Sequence, residues 1–313
     1  MKLDQIKKVA VVGAGLMGHG IAQAFAQGGF SVNVTDASAS VLEVVKDRIR
    51  ANLVTFVEEK FIGKNGAKEI PDRIYVFPDL GEAVHEANFV IEAISEDLEA
   101  KRRLFKELEK HCSPDTILAS NTSSFRMTDI ASDMKNPERA VITHWFNPPY
   151  LVPLVEVMPG EKTSAETCQI TSDLLAKIKK VPVRVRKEIP GFLVNRIQTA
   201  LYREIFSLLE MGVASAEDID SAVKASLGFR LASIGPLLVR DLAGLGGFCK
   251  SQEALLKEIN SSTELSKILK DKVARGDLGV ETGKGFFKFN PESAAAIIKE
   301  RDRQFVRRLK EFR

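Results

Sequence analysis

Several short polar clusters in this 313-residue chain have the residue types and spacing for chemistry. The first is Gly13-Ala14-Gly15-Leu16-Met17-Gly18, a G-x-G-x-x-G pattern that follows a strand-like run and opens a helix-like one. Gly13 allows a tight turn, Gly15 lets a backbone approach a pyrophosphate, and Gly18 lets helix and strand pack closely. The N–H groups and positive dipole end of the helix that starts here suit phosphate oxygens. Asp36 ends the next strand-like run, at the distance where a carboxylate meets the ribose hydroxyls of a dinucleotide. A carboxylate there also repels a 2′-phosphate, so the pattern favours NAD over NADP.

A dinucleotide site does not specify a reaction. The reacting groups must come from polar residues near the ends of later strands. Candidates are Ser120-Asn121-Thr122-Ser123-Ser124, His144-Trp145-Phe146-Asn147-Pro148, Glu156 at the end of Val-Pro-Leu-Val-Glu, and Asn195 in Pro-Gly-Phe-Leu-Val-Asn-Arg. Residue type leaves two uses open for each. His144 is as readily a structural hydrogen-bonder as a proton carrier. Glu156 could be a surface partner of a nearby lysine, and Ser120–Ser124 a loop rich in turn formers.

The elements that would position these groups follow from periodicity. Val9–Val12, Ser31–Thr35, Phe89–Ala93, Thr116–Ala119, Val141–Thr143 and Leu154–Val157 read as strands. Helical spacing runs over Leu16–Gln27, Ser40–Phe61 and Leu98–Lys110, with a turn at Gly63–Gly66. This alternation predicts an α/β, Rossmann-like, doubly wound and mostly parallel sheet over residues 1–187, with a helical insertion near 40–70. Past Ile189-Pro190-Gly191 the texture becomes helical, over Phe192–Met211, Ala216–Ala225 and Glu253–Arg275. An all-α second domain over 188–313 is expected, and its apolar run Ile197, Leu201, Ile205, Leu208 and Leu209 suits dimerisation.

Composition narrows the class. Hydrophobic residues make up 44% and charged residues 28%, which excludes disordered, collagen-like and disulfide-scaffold chains. The longest apolar run, Val9–Gly18, is about half of a roughly 20-residue membrane span. No secretory signal or transit pattern opens the chain, so no membrane partner is expected. A net charge of +3 is too small to argue for nucleic acid. The basic stretch Lys299–Arg313 reads as the solvated face of a final helix whose apolar side includes Phe305, Val306, Leu309 and Phe312. Cys112, Cys168 and Cys249 are few and scattered, which fits reduced thiols in the cytoplasm and no metal site.

With these residues in view, the sequence resembles the L-3-hydroxyacyl-CoA dehydrogenase family. GAGLMGHGIAQ, the SNTSS and HWFNP segments, LVEV, IPGFLVNR and TGKGFF occur in family order over nearly the whole chain. The resemblance implies an NAD-dependent enzyme acting on CH–OH, with His144 as general base and Glu156 fixing and stabilising its imidazolium. It implies that Ser123 and Asn195 hold the substrate oxygen. Glu96, Lys101, Ser123 and Asn147 match family positions around the cofactor, beside Gly13, Gly15, Leu16, Met17, Gly18 and Asp36. A homodimer is implied as well.

The resemblance divides over the substrate. Asn147-Pro148-Pro149-Tyr150-Leu151-Val152-Pro153-Leu154-Val155-Glu156 and Gly228-Phe229-Arg230-Leu231 are similar to the branch containing lambda-crystallin (an L-gulonate dehydrogenase) and carnitine dehydrogenase, whose substrates are free acids. There Arg230 could grip a carboxylate. Asp241–Leu245 and Thr282–Phe286 look more like acyl-CoA enzymes, for which Lys60 and Lys64 are the expected holders of CoA phosphates. The favoured expectation is a short-chain 3-hydroxyacyl-CoA such as 3-hydroxybutyryl-CoA, with a free 3-hydroxy acid as alternative. A non-enzymatic NAD-binding structural protein is a third reading, which the intact His144, Glu156, Ser123 and Asn195 set argues against.

Overall fold

Short runs rich in Val and Ile, buried on both faces, build the sheet, and amphipathic helices cover it. The computed structural model describes residues 2–312. In chain order the first part contains β1 (Lys8–Val12), α1 (Gly18–Gln27), β2 (Ser31–Thr35), α2 (Ala39–Glu43), α3 (Val45–Glu58), α4 (Lys64–Asp72), β3 (Ile74–Val76), α5 (Leu80–Val84) and β4 (Phe89–Glu92). It continues through α6 (Leu98–His111), β5 (Ile117–Ser120), α7 (Met127–Ile130), β6 (Ala140–Trp145), β7 (Leu154–Pro159), α8 (Ala165–Lys177) and β8 (Val181–Arg184). The strand order is β3-β2-β1-β4-β5-β6-β7-β8, and every pair is parallel except β6 with β7. The order reverses direction between β1 and β4, the crevice where doubly wound sheets bind nucleotides.

The chain divides into two units: residues up to Leu193 together with the segment from Ile297, and Val194–Ala296. This differs at both ends from the expected division at 187/188. Phe192 is buried in the core of the first unit, and the Leu193 N–H donates to Glu156, so the Ile-Pro-Gly linker stays with the sheet. The final helix, α15 (Pro291–Phe312), returns from Ile297 onward to the first unit. There Val306 packs with Phe56 and Leu151. Its basic residues are only partly a solvated face, because Lys299 and Arg303 pair with Glu58 and Arg307 pairs with Glu59.

The second unit consists of α9 (Val194–Glu210), α10 (Ala216–Val223), a π turn over Lys224–Gly228, α11 (Phe229–Leu231), α12 (Pro236–Ala243), α13 (Leu245–Leu255) and α14 (Lys267–Ala274), with the loops that follow. The helix expected over Glu253–Arg275 is interrupted between Leu255 and Lys267. Polar Asn260 to Thr263 offer side-chain bonds that compete with helix, and Asn260 Oδ1 accepts from the Ser262 N–H. Glu210 of α9 accepts from Ser266 Oγ and the Ile268 N–H, capping the start of α14.

Other expectations shift locally. The helix expected over Ser40–Phe61 breaks at Val44 into α2 and α3, and the expected turn at Gly63–Gly66 instead starts α4.

Candidate active site

The glycine loop is shaped by contacts that admit no side chain at two of its three glycines. Gly13 has φ +99°, and a Cβ there would lie 2.5 Å from the Ala93 carbonyl oxygen. A Cβ on Gly18 would lie 1.7 Å from the Gly13 carbonyl oxygen. Gly15 has open space where its Cβ would be, which leaves the backbone accessible to a pyrophosphate. Leu16 is exposed and Met17 half-buried on the turn that leads into α1.

Asp36 stands just past β2, and its two carboxylate oxygens accept from the Ala14 N–H at 2.7 Å and the Ser38 N–H at 2.8 Å. It therefore braces the glycine loop as well as facing it. His19 sits on the first turn of α1. Its Nδ1 lies 2.7 Å from the Gly15 carbonyl oxygen. Burial holds its pKa below the ordinary histidine value, against the pull of that carbonyl. Its place directly after the last motif glycine was the available signal.

His144 and Glu156 lie opposite each other on the antiparallel strands β6 and β7. Nδ1 of His144 is 2.8 Å from Oε2 of Glu156, and both side chains are buried. Oε1 of Glu156 accepts from the Leu193 N–H at 3.0 Å. In the neutral imidazole the Nδ1–Oε2 contact places the hydrogen on Nδ1 and leaves the Nε2 lone pair free. The imidazole is held between Phe146, centroids 4.5 Å apart, and Phe192, 5.2 Å away and edge-on. Buried Trp145 packs on Phe25 in the core.

Ser123 lies in the loop after β5, the strand beside β6. Asn121 Oδ1 accepts from the Trp145 N–H at 2.9 Å, tying this loop to the strand end that carries His144. Glu96 organises the loop from the other side. Its Oε1 accepts from Thr122 Oγ1 at 2.6 Å and from the N–H groups of Ser123 and Ser124, each at 3.0 Å. Burial alone would raise the Glu96 pKa, but the Thr122 hydroxyl, Lys101 and the Ser123 N–H together hold it below the usual carboxylate value. Lys101 is buried, with Nζ 2.6 Å from Glu92 Oε1 and 3.3 Å from Glu96 Oε2. Glu92, Ser120, Asn121 and Thr122 were not singled out individually as binding or catalytic, because each reads from sequence as strand end or turn chemistry.

The other expected residues are placed as follows. Asn147 is exposed in the loop after β6. Lys60 is exposed on the connection from α3 to α4, and Lys64 is exposed at the first position of α4. Asn195 lies in the first turn of α9 and Arg230 on α11, both in the second unit. Arg230 is exposed, and its Nε donates to the Ser226 carbonyl oxygen at 3.3 Å.

A mostly parallel, doubly wound sheet with a glycine loop and an adjoining aspartate at its switch point has the form of a dinucleotide-binding fold, and here it carries a buried histidine–carboxylate pair. Residues 8–189 match the NAD-binding domain of 3-hydroxyacyl-CoA dehydrogenase, and residues 191–289 match its C-terminal domain. The chain belongs to the 3-hydroxyacyl-CoA dehydrogenase family, whose members act on CH–OH groups with NAD. It is 33% identical over 305 residues to 5-formyl-3-hydroxy-2-methylpyridine 4-carboxylate 5-dehydrogenase of Mesorhizobium japonicum, with 96% of each chain covered. A crystal structure of an enzyme of that name, described as an NAD-dependent dismutase, matches with TM-score 0.91 and 32% identity over 99% of this chain and 100% of the other. The structure of (S)-3-hydroxybutyryl-CoA dehydrogenase from Ralstonia eutropha matches with TM-score 0.74 and 32% identity, over 91% and 100%.

Proposed function

We propose that the protein oxidises the alcohol carbon of a small hydroxy acid, with His144 as base and Glu156 as its orienting partner. The observation that carries this reading is the buried Nδ1–Oε2 bond of 2.8 Å, which frees Nε2 for the alcohol proton. Bound NAD supplies the hydride acceptor. Nε2 of His144 takes up the hydroxyl proton, and Glu156 balances the charge of the imidazolium, a division of labour like that of hydrolytic triads. The Ser123 hydroxyl, on a loop whose backbone Glu96 grips, holds the alcohol oxygen. Asp36 and the N-terminus of α1 anchor the adenosine ribose and the pyrophosphate.

One feature supports a free carboxylate in place of a CoA thioester: the likeness over nearly full length to an enzyme named for a pyridine carboxylate. Arg230 is the cation assigned to the substrate carboxylate. A CoA thioester is the second reading, favoured by exposed Lys60 and Lys64. We propose further that the protein acts as a homodimer through the second unit.

NADH formation measured in parallel with 3-hydroxybutyryl-CoA, 3-hydroxybutyrate, L-gulonate, carnitine and a hydroxymethyl- or formyl-pyridine carboxylate tests the substrate. Turnover of acids with Arg230→Met costing about 2–5 kcal/mol of transition-state binding is expected. Turnover of the CoA ester alone, sensitive to Lys60 and Lys64, overturns the choice of substrate and leaves the dyad in place.

A further inference from the structure

Glu92 ends β4 with no exposed surface, in register with Val12 of β1 on one side and Ser120 of β5 on the other. It therefore sits at the point where the strand order reverses. Oε1 accepts from Lys101 Nζ at 2.6 Å and the Ile94 N–H at 2.7 Å, and Oε2 accepts from Ser120 Oγ at 2.6 Å. Two routes lead from this carboxylate to the Ser123 loop. One runs through Ser120 Oγ, which accepts from the Thr122 N–H at 3.3 Å. The other runs through Lys101 Nζ to Glu96 and from Glu96 Oε1 to the Ser123 N–H.

A buried ion pair of this kind gains little stability over well-packed apolar side chains of the same volume, since desolvation offsets the attraction. What it supplies is geometry. Lys101 is shared between two carboxylates, and the stronger contact with Glu92 limits how far it can draw Glu96 from Thr122 and Ser123. We propose that Glu92 is a positioning residue of the reaction, setting Lys101 and, through Glu96 and Ser120, the place of Ser123. This rests on the reading above that Ser123 holds the alcohol oxygen.

Glu92→Gln keeps the volume and removes the charge. With Glu92 neutral, Lys101 moves toward Glu96, the grip on the Ser123 N–H loosens, and kcat falls roughly ten- to a hundredfold, the scale of an ångström-sized misplacement. The affinity for NADH, titrated by its fluorescence, shifts with it, while the preference for NAD over NADP is kept. Ser120→Ala breaks only the route through Ser120 Oγ and gives a smaller fall in kcat; it keeps the test open if Glu92→Gln does not fold. A melting temperature lowered with kcat and NADH affinity unchanged means a structural pair only and overturns the inference. Ser123→Ala separates the two levels. If it lowers kcat and neither Glu92→Gln nor Ser120→Ala does, the inference about Glu92 falls alone. If Ser123→Ala is silent, the role given to Ser123 falls first.

Discussion

His144 and Glu156 are direct cross-strand partners, and the only antiparallel pairing in the sheet among the described residues creates their contact. Side chains directly opposite on antiparallel strands have Cβ atoms about 4.5–5.5 Å apart, close enough for an imidazole and a carboxylate to bond without leaving good rotamers. A one-residue slip of β7 would turn Glu156 to the other face of the sheet. The register of two strands thus fixes the tautomer of the base.

Replacing His144 by Ala or Gln should lower kcat by about two to four orders of magnitude, the usual worth of a general base, with NAD affinity nearly unchanged. Glu156→Gln should also slow catalysis. An amide cannot balance the imidazolium, and in either orientation its NH2 faces one of two N–H groups, His144 Nδ1 or Leu193 N. Steady-state kinetics together with NADH titration check both, and near-normal turnover of the His144 variants would remove the base from the mechanism.

Asp36 should enforce NAD over NADP through charge repulsion, measurable as a ratio of affinities at fixed salt. Asp36→Ala should narrow that ratio. It should also weaken NAD binding outright, because the same carboxylate holds the Ala14 and Ser38 N–H groups. A variant that accepts NADP with undiminished NAD affinity would show that the brace on the glycine loop is dispensable.

The sheet was legible because its strands are short apolar runs punctuated by glycine and polar turns, and the glycine motif marked its first crossover. Edge strands β3 and β8 were harder to read. Ile74-Tyr75-Val76 is three residues long, and the Val181–Arg184 strand contains Pro182 and alternates weakly. His144, Glu156 and the Ser120–Ser124 cluster were candidates by residue type and position, and the family resemblance picked out Ser123 and implied each role. Glu92 and Asn121 did not, since their importance lies in partners 9 to 28 residues away that only the sheet order brings together. The docking of the final helix was missed because its amphipathic pattern tells that one face is covered but not by what. Glu58 and Glu59, the matching anions, sit some 240 residues earlier.

His19 makes stability depend on pH in a stated direction. Burial lowers its pKa in the folded protein. The unfolded chain therefore takes up the proton below about pH 6.5, where the folded chain does not until the pH is lower still. Its contribution is present above that window and is lost as pH falls through it. Denaturation midpoints compared between pH 7.5 and 5.5 should drop less in His19→Gln than in the parent. An equal drop would show that His19 titrates alike in both states.

The homodimer proposal rests on α9. None of its residues is buried within the chain, and Ile197 is 66% and Tyr202 48% exposed. Leu237, 81% exposed, and Phe229, 74%, extend the apolar surface of the same unit. So much uncovered apolar side chain exceeds what a monomer in water ordinarily tolerates, and a second copy offers the same surface in return. Sedimentation at micromolar concentration should give about twice the 34.5 kDa of one chain. Ile197→Asp together with Leu201→Asp should shift the distribution toward monomer, since two carboxylates would otherwise be buried without partners. The double variant's first unit should keep its NADH binding if the second unit alone carries the interface. A parent protein that sediments as a monomer refutes the assembly.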